Sequence, residues 1–249
     1  MPGFEKIDRE ALPGHVAMIM DGNGRWAKKR LMNRVKGHEK GSETVREMVK
    51  ACRELGIGIL TLYAFSTENW GRPKSEVLAL MTLLKRFLVS ERDELNEKGI
   101  RLNIIGQVER LPDDVRAEAV QTMSLTRKNR EMTLNLALSY GSREEIAQAA
   151  KIIARKVKSG SLDPEAITDE TVSAHLYTAG MADPDLIIRT SGEFRLSNFM
   201  MWQAAYAEIF ITNTLWPDFN RDEFIDILKN YQERDRRFGK VECSMSSDG

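Results

Sequence analysis

The sequence predicts an α/β fold: a single domain with a central, mostly parallel six-stranded sheet flanked by helices. Two observations lead to this prediction. Short apolar runs alternate with long amphipathic segments along the chain, which is the pattern of strands joined by helical crossovers. The length of 249 residues suits one domain with a sizeable core, and no linker rich in proline or serine divides it. We expect an N-terminal segment at 1–14, the folded domain at 15–240 and a flexible tail at 241–249.

The first half of the chain supplies three strands and two long helices. The apolar run HVAMIM predicts a strand at 15–20, and ILTLYAF predicts the next at 59–65. A glycine loop and a helical segment from Trp26 follow the first strand, and an amphipathic helix is expected at 39–55. A second amphipathic segment spans 75–98, with Ser75 as its N-cap, and leads to a strand at 101–106.

The second half repeats this alternation. A helix at 113–128 precedes a strand at 132–139, and the helix at 142–158 begins with Ser142 and Glu145 at the spacing of a capping box. A short helix at 169–177, strands at 185–190 and 208–212, and a helix at 221–237 complete the domain. In open sheets of this kind, ligands bind beyond the carboxyl ends of the strands. The loops after these strands are therefore the candidate site.

Composition excludes several classes of protein. Lys and Arg total 37, as do Asp and Glu, so the net charge is zero, which argues against non-specific binding of nucleic acid. The two cysteines, Cys52 and Cys243, have neither the spacing of metal ligands nor that of a disulfide framework. The N-terminal stretch MPGFEKIDREALPG carries charge throughout and lacks the apolar core of a signal peptide, and no run approaches the roughly 20 apolar residues of a membrane span. We expect a soluble, cytoplasmic protein.

The stretch IMDGNGRW at 19–26 places a carboxylate, two glycines and a guanidinium at the end of the first strand. Asn23-Gly24 is a strong hairpin signal, and a plain turn is the alternative interpretation. A hairpin needs a second strand, however, and the residues after Trp26 favour a helix. A glycine loop between a strand and a helix is a common phosphate site, because bare amides and the helix N-terminus attract anions.

Two further strand ends carry loops of similar composition, at 65–73 and 189–198. Together the three loops contribute Arg25, Arg72, Arg189 and Arg195 to one edge of the sheet. The planar fork of arginine holds phosphate oxygens in pairs. Any one loop could be an ordinary solvated loop, but three at one edge predict a pocket for several phosphates.

Six stretches carry a resemblance to a known family. In chain order, from His15 to Gly239, they are HVAMIMDGNGRWAKKR, LYAFSTENWGRP, LNLALSYGSREEI, DLIIRTSGEFRLSNFMMWQAAYAEIFIT, LWPDF and ERDRRFG. They resemble the cis-prenyltransferases, or isoprenyl transferases. The resemblance implies successive condensation of isopentenyl diphosphate onto an allylic diphosphate such as farnesyl diphosphate. The implied product is a Z-polyprenyl diphosphate, by default undecaprenyl diphosphate, the lipid carrier precursor for cell-wall glycans.

The resemblance also implies a Mg²⁺ cofactor, a homodimer and a peripheral membrane contact for product release. It assigns Asp21 to the metal and to the departing allylic diphosphate, and Glu208 to the metal from the vicinity of the partner subunit. Asp113-Asp114 lacks the further aspartate of a DDxxD motif, so the metal would be held sparsely, as Mg²⁺ often is. From the residues alone, Glu208 is a surface residue at a strand start. The implied substrate-binding positions are Gly22, Asn23, Gly24, Arg25, Trp26, Arg34, His38, Ser66, Thr67, Glu68, Trp70, Arg72, Arg189, Arg195, Leu196 and Ser197.

The resemblance also gives Asn69 a catalytic role, which we qualify, and two of the substrate-binding positions have an alternative interpretation. Asn69 matches the position to which the family's proton acceptor is usually assigned, but an amide lacks useful basicity near neutral pH. We expect Asn69 to orient a diphosphate oxygen or a water molecule instead. Without the resemblance, His38 would be a structural histidine and Trp70 a cover for the core. The chain also departs from the family, with Ser191-Gly192 in place of Gly-Gly and Phe194, which cannot ligate a metal, in place of a histidine.

The helix at 75–98 carries an apolar face that either packs in the core or lines a tunnel. Its members are Val77, Leu78, Leu80, Met81, Leu83, Leu84, Phe87 and Leu88. By resemblance, this face and the strands near Ala64 and Met132 would wall a hydrophobic tunnel, so bulkier residues at either position should shorten the product.

Two other functions compete with the enzyme described above. A non-catalytic partner subunit of a prenyltransferase would keep the fold, but such subunits tend to lose the acid and arginines that this chain keeps. A phosphohydrolase could use Asp21 as its nucleophile, but it would require a second acid at position 23, which is Asn23 here.

Overall fold

The computed structural model describes residues 7–234 and has at its centre a six-stranded sheet in which all neighbouring strands are parallel. The strand order is β3-β4-β2-β1-β5-β6. The strands are β1 His15–Ile19, β2 Ile59–Ser66, β3 Ile100–Ile105, β4 Met132–Tyr140, β5 Leu186–Arg189 and β6 Glu208–Ile211. All six predicted strands are confirmed to within about one residue, and the sheet is wholly rather than mostly parallel.

Eight α-helices occur within the described residues. They are α1 Asn23–Lys29, α2 Arg34–Leu55, α3 Lys74–Ser90, α4 Arg92–Glu97, α5 Asp113–Thr126, α6 Ser142–Lys158, α7 Asp169–Ser173 and α8 Arg221–Gln232. A short 3-10 helix, Thr67–Gly71, follows β2. No helix in this part of the chain has both the length and the hydropathy that crossing a membrane would require.

Several helix bounds differ from the sequence prediction. Helix α2 begins five residues before position 39, because the Asn33 side chain accepts a hydrogen bond from the Lys36 amide at 3.1 Å and so caps it there. The segment 75–98 is two helices, divided at Glu91, and α7 ends at Ser173. Positions 235–237 of the last predicted helix and the predicted tail at 241–249 lie outside the described residues.

Both predicted serine caps are wrong. Helix α3 starts at Lys74, after Pro73, so Ser75 is already helical. Ser142 is the first residue of α6, and its Oγ accepts a hydrogen bond from the Met201 amide at 3.0 Å. The Glu145 carboxylate, 1% exposed, accepts from the hydroxyl of Tyr140 rather than from a helix end. Contacts from distant segments therefore replace the local capping box.

The sheet is covered on both faces. The larger core cluster joins β1, β2 and β4 to helices α2, α3 and α8, with Met48, Leu88 and Phe224 fully buried. A smaller cluster on the opposite face contains Tyr140 and Phe199. Burial on both faces is typical of parallel sheets and explains why the strands appear as continuous apolar runs in the sequence.

Candidate active site

The candidate site lies where the strand order reverses. From β1 the chain goes to β2 on one side, whereas β5 pairs with β1 on the other side. Ligands of open α/β sheets bind at such switch points. Asp21 follows β1 and Thr190 follows β5, and the Thr190 hydroxyl donates to the Asp21 carbonyl at 2.7 Å and accepts from the Asp21 amide at 3.0 Å. The two loop starts are thus tied together.

Asp21 is held by its own loop and by Arg189. Its Oδ1 accepts from the Gly22 amide at 2.7 Å, and its Oδ2 accepts from Arg189 Nη2 at 2.9 Å. Gly22 has a φ of 108°, and a Cβ there would come within 3.0 Å of the Leu215 side chain. Glycine is therefore required at this turn both for its backbone conformation and for space.

The surrounding charges keep Asp21 ionised. Burial by itself raises the pKa of this carboxyl group, but the hydrogen bond from Arg189, the charges of Arg189 and Arg25 and the Gly22 amide outweigh it. The net result is a pKa below the ordinary aspartate value. Asp21 is one-third exposed, so a charged carboxylate faces the cleft at neutral pH.

Arg189 links the two halves of the site. Its side chain is only 4% exposed, and its Nη1 donates to Ser197 Oγ at 2.7 Å and to the Arg195 carbonyl, while Nη2 binds Asp21. Its Nε is buried without a hydrogen-bond partner. Three of the predicted residues, Asp21, Arg189 and Ser197, are therefore connected by direct hydrogen bonds.

A second guanidinium pair extends this cluster. The Arg25 guanidinium donates to the carbonyl oxygen of Ser191 at 3.1 Å and to the Ser191 hydroxyl. Arg25 Nη1 also lies 3.0 Å from the Glu193 carboxylate. Glu193 also binds Arg195 at 2.5 Å. From the sequence, Ser191 was noted only as a position where this chain differs from the family pattern, and no role was assigned to Glu193. Their position between two arginines in the 189–198 loop is the signal that could have identified them.

The loop glycine at position 24 allows close packing. A Cβ on Gly24 would lie 2.8 Å from Nε of Arg34, so the glycine lets that guanidinium approach the loop. Asn23 lines the cavity described below, and its Oδ1 is buried without a hydrogen-bond partner. Trp26 points elsewhere: it packs with Leu215, and its Nε1 donates to Asp218 at 2.7 Å.

The 3-10 helix Thr67–Gly71 presents Asn69 and Trp70 differently. Asn69 Oδ1 accepts a hydrogen bond from the backbone amide of Ser66 at 3.1 Å, and the Ser66 side chain accepts one from the backbone amide of Asn69 in return. Asn69 lines the cavity described below, and with its oxygen bonded to the backbone, its NH₂ group is the donor that it can offer there. Trp70 packs edge-on against Phe65 and donates to Ser139 Oγ at 2.9 Å, so it also covers the core.

A third arginine pair surrounds His38. Arg72 binds Glu76 at 3.0 Å, and Arg34 approaches the same carboxylate at 3.4 Å. The pKa of His38 is lowered to about 4: burial is the largest cause, the charges of Arg72 and Arg34 act in the same direction, and the charge of Glu76 opposes them. His38 is therefore neutral at pH 7. Glu76, which is nearly buried, was not among the predicted residues.

The remaining predicted residues of these loops face one another. The Thr67 hydroxyl donates to the Glu144 carboxylate at 3.4 Å, and the Glu68 carboxylate accepts from the side-chain Nδ2 of Asn198 at 3.0 Å. Leu196 is partly buried and packs on the smaller core cluster.

A cavity of about 910 Å³, counted with its open mouth, leads away from this cluster. Its polar end is lined by Asn23, His38, Asn69 and Arg72, and its apolar wall by Leu62, Ala64, Leu80, Met81, Leu83, Leu84, Phe87, Leu136, Leu138 and Trp216. Of the α3 residues predicted to form the tunnel wall, five line this cavity together with Ala64, whereas Val77 and Leu88 do not. Met132 does not line the cavity, because it is buried at the start of β4, while the cavity lies against the later residues of that strand. Leu78 is exposed.

Glu208 lies apart from Asp21 within the chain. It starts β6 opposite Leu186, roughly 10 Å along the strands from the level of Arg189. Its carboxylate binds Arg234. Among residues 7–234, no three His, Cys, Asp or Glu side chains cluster in a way that could hold a metal ion. One chain therefore brings Asp21, but not Glu208, to the cleft.

Comparisons with known proteins agree with this geometry. Residues 19–239 match the family model described as putative undecaprenyl diphosphate synthase. An isoprenyl transferase of Geobacillus kaustophilus is 53% identical over 237 residues, covering 95% of this chain and 92% of its relative. An isoprenyl transferase of Chlorobaculum tepidum is 54% identical, covering 92% and 87%.

Two solved structures are also similar. Lavandulyl diphosphate synthase from Lavandula x intermedia, in complex with dimethylallyl diphosphate, superposes with a TM-score of 0.91 at 39% identity, covering 93% of this chain and 100% of that one. A probable undecaprenyl diphosphate synthase from Campylobacter jejuni gives 0.76 at 35% identity, covering 92% and 99%.

Proposed function

Because this chain belongs to the undecaprenyl diphosphate synthase family, and is thus a prenyl-transferring enzyme, we propose that it is a Mg²⁺-dependent cis-prenyltransferase. It condenses isopentenyl diphosphate successively onto an allylic diphosphate, farnesyl diphosphate being the expected primer. The product is a long Z-polyprenyl diphosphate, by default undecaprenyl diphosphate for the carriage of cell-wall glycans. We place the reaction in the cytoplasm, with peripheral membrane contact for product release.

The observation that carries this proposal is the bridge made by Arg189. One buried guanidinium touches Asp21 on one side and Ser197 on the other, so it stands between two groups of phosphate-binding side chains. Arg25 pairs with Asp21 on one side of this guanidinium, and on the other side Arg189 binds the Arg195 carbonyl and Ser197 Oγ. Two diphosphates held on either side of one cation suit a condensation of two prenyl diphosphates. The allylic ligand of the lavandulyl enzyme supports the assignment of one side to an allylic diphosphate.

The donor set fits Mg²⁺. Asp21 offers hard oxygen ligands, is ionised, and is one-third exposed to the cleft. Mg²⁺ is commonly held by one or two carboxylates together with substrate phosphates. When bound, the ion supplies Lewis-acid stabilisation of the leaving diphosphate. Asp21 is the residue that would hold it.

The chain's own residues orient the reactants. Arg25 and Arg189 neutralise phosphate oxygens, which stabilises the negative charge that develops as the allylic diphosphate leaves. The NH₂ of Asn69 donates to a diphosphate oxygen or a water, and that group accepts the proton lost from the five-carbon unit. The apolar wall formed by α3 and the strand residues receives the hydrocarbon chain and excludes water.

One reaction tests the proposal. The purified protein is mixed with radiolabelled isopentenyl diphosphate, farnesyl diphosphate and Mg²⁺, and the lipid is separated by chromatography. Lengthening lipid supports the proposal, and its mobility reports the chain length. Release of phosphate without lipid would instead support a phosphohydrolase, and an inert protein would support a partner subunit.

The homodimer and the role of Glu208 form one further part of the proposal. Since Glu208 is remote from Asp21 in its own chain, it would serve the metal of the partner subunit. We expect Asp21→Asn and Glu208→Gln to be nearly inactive separately and to recover activity when co-expressed as mixed dimers. Each mixed dimer then holds one complete site. Absence of recovery in confirmed mixed dimers would contradict a shared site.

A further inference from the structure

We propose that Asn198 is a positioning residue that latches the 3-10 helix Thr67–Gly71 to the loop presenting Ser197. The proposal rests on the function proposed above, because it concerns the spacing of the two diphosphate groups. Asn198 is not among the substrate-binding positions that the sequence indicates. Four hydrogen bonds join Asn198 to the start of α6 and to the segment after β2, so they connect three separate segments of the chain.

One side of Asn198 holds the start of α6. The Asn198 carbonyl accepts from the Ser142 amide at 2.8 Å, and Asn198 Oδ1 accepts from the Arg143 amide at 2.8 Å. The residue that precedes the helix, Gly141, has no side chain that could accept these hydrogen bonds. Asn198 therefore caps α6 from a distant loop, satisfying two amides that a helix start leaves unpaired.

The other side of Asn198 holds the segment after β2. Its Nδ2 donates to Glu68 Oε1 at 3.0 Å and to Glu144 Oε2 at 3.1 Å, while Glu144 also accepts from the Thr67 hydroxyl. The acceptors are carboxylates, and hydrogen bonds to charged groups are the stronger ones. A carboxylate repels a diphosphate, so a latch to Asn198 suits Glu68 better than direct substrate binding does.

The backbone around Asn198 is strained, and its contacts hold it in place. Ser197 and Asn198 have φ values of 51° and 62°, in the left-handed region that most residues avoid. Asparagine tolerates this region well. A Cβ on Gly141 would lie 2.7 Å from both Asn198 Nδ2 and Thr67 Oγ1, so glycine at this position lets the segments meet. Strain of this kind persists where the surroundings over-determine the conformation.

The latch connects the two groups of the site. The 3-10 helix carries Asn69 at the mouth of the cavity, and Arg72 follows it, whereas Ser197 is held by Arg189 on the other side. With Asn198 bonded to Glu68, the distance between these groups is fixed before substrate binds. Loss of the latch should therefore weaken the capture of isopentenyl diphosphate by a correctly primed site.

Asn198→Asp separates the latch from the helix cap. Aspartate keeps the oxygen that accepts from the Arg143 amide and is favourable at a helix N-terminus. It loses the donor and places a negative charge against Glu68 and Glu144. We expect kcat/KM for isopentenyl diphosphate to fall by about 10- to 100-fold, with faster hydrogen exchange in residues 67–71 and little change in the start of α6.

Two further variants complete the test. Asn220→Asp makes the same change at the cap of α8, where Asn220 Oδ1 accepts from the Glu223 amide, and should alter neither measurement. Asn198→Asp with Glu68→Gln restores a donor across the latch with reversed polarity, and should recover part of the lost kcat/KM and of the slow exchange, because only the repulsion from Glu144 remains.

The outcomes separate the latch from the proposed function. Unchanged exchange and kcat/KM in Asn198→Asp would overturn the latch, as would a double variant no better than the single one. Equal effects of Asn220→Asp would assign the loss to general helix destabilisation and also overturn it. If the parent protein makes no lipid, the proposed function fails, and the exchange measurement still decides whether the latch exists.

Discussion

Replacing Asp21 with asparagine separates the charge of this side chain from its hydrogen bonds. Asparagine has nearly the same shape, and its Oδ1 can still accept the hydrogen bond that the Gly22 amide donates to Asp21 Oδ1 at 2.7 Å in the parent protein. The variant loses the negative charge that pairs with Arg189 at 2.9 Å and with Arg25 at 3.5 Å. Because Arg189 is buried and Asp21 partly exposed, we expect a loss of about 1–3 kcal/mol in the free energy of unfolding, between values for exposed and buried pairs. The protein should remain folded.

Turnover and anion binding should change in opposite directions. Without a carboxylate to hold the metal on the leaving diphosphate, turnover should fall about 10³-fold or more, which corresponds to about 4 kcal/mol. A bound diphosphate would no longer face a like charge, worth about 3 kcal/mol at a separation of about 5 Å and an effective dielectric of 20. Exposure and salt reduce this to about 1–2 kcal/mol. Metal-free pyrophosphate should therefore bind about tenfold more tightly.

Two assays measure these changes. Incorporation of labelled isopentenyl diphosphate at saturating Mg²⁺ gives turnover, and titration calorimetry with inorganic pyrophosphate in EDTA gives affinity. Asp163→Asn, the same substitution at an exposed and remote position, is the matched control. Turnover within tenfold of the parent, or weaker metal-free binding of pyrophosphate, would refute the reasoning.

Three other predictions follow from the same geometry. Arg189→Lys should raise the KM for isopentenyl diphosphate at least about 30-fold in steady-state kinetics, because an ammonium cannot bridge Asp21 and Ser197 as the guanidinium fork does; an unchanged KM would contradict the bridge. The pKa of His38 is lowered from its ordinary value of 6.5 to about 4 in the folded protein. Between these two pH values the unfolded chain binds more protons than the folded one, so stability is lost as the pH falls from about 6.5 towards 4. His38→Gln should remove about 1–2 kcal/mol of the difference between pH 7 and pH 5 in urea unfolding, and an unaltered difference would count against it. Ala64→Leu should shorten the lipid on thin-layer chromatography, whereas Met132→Leu should leave its length unchanged; the reverse pattern would sink this account of the cavity.

Sequence periodicity predicted the strands well because a sheet buried on both faces leaves continuous apolar runs. It was less successful at helix ends, where contacts from distant segments decide the outcome. Ser142 and Glu145 have the spacing of a capping box, but one binds the Met201 amide and the other the Tyr140 hydroxyl. Neither partner can be deduced from residues three positions apart.

The candidate site could be predicted only as far as strand ends and a family resemblance determine it. These placed Asp21, Arg25, Arg189 and Ser197 at one edge of the sheet, and the structure brings them together. Trp26 and Leu196 belong to the same motifs but pack into the interior, because a motif records which residues occur and not which way they point. Glu76 escaped notice because it starts a helix, where an acidic residue is ordinary.

The zero net charge of the chain is reconciled with a site for two anions by local pairing. Arg25, Arg189 and Arg195 share Asp21 and Glu193, and Arg34 and Arg72 share Glu76, so these two ion-pair networks hold five guanidinium groups against three carboxylates, while Glu68 and Glu144 lie outside them on Asn198. This surplus of two positive charges comes from groups that are already oriented. Two diphosphates would bring roughly six negative charges, since the terminal phosphate is largely doubly ionised near pH 7. The protein's two surplus positive charges would leave most of that negative charge unbalanced. A divalent cation at Asp21 would raise the positive charge that faces the two diphosphates to four. Under the proposed function, the arginines would orient the diphosphates, and charge balance makes the proposed metal requirement physically reasonable.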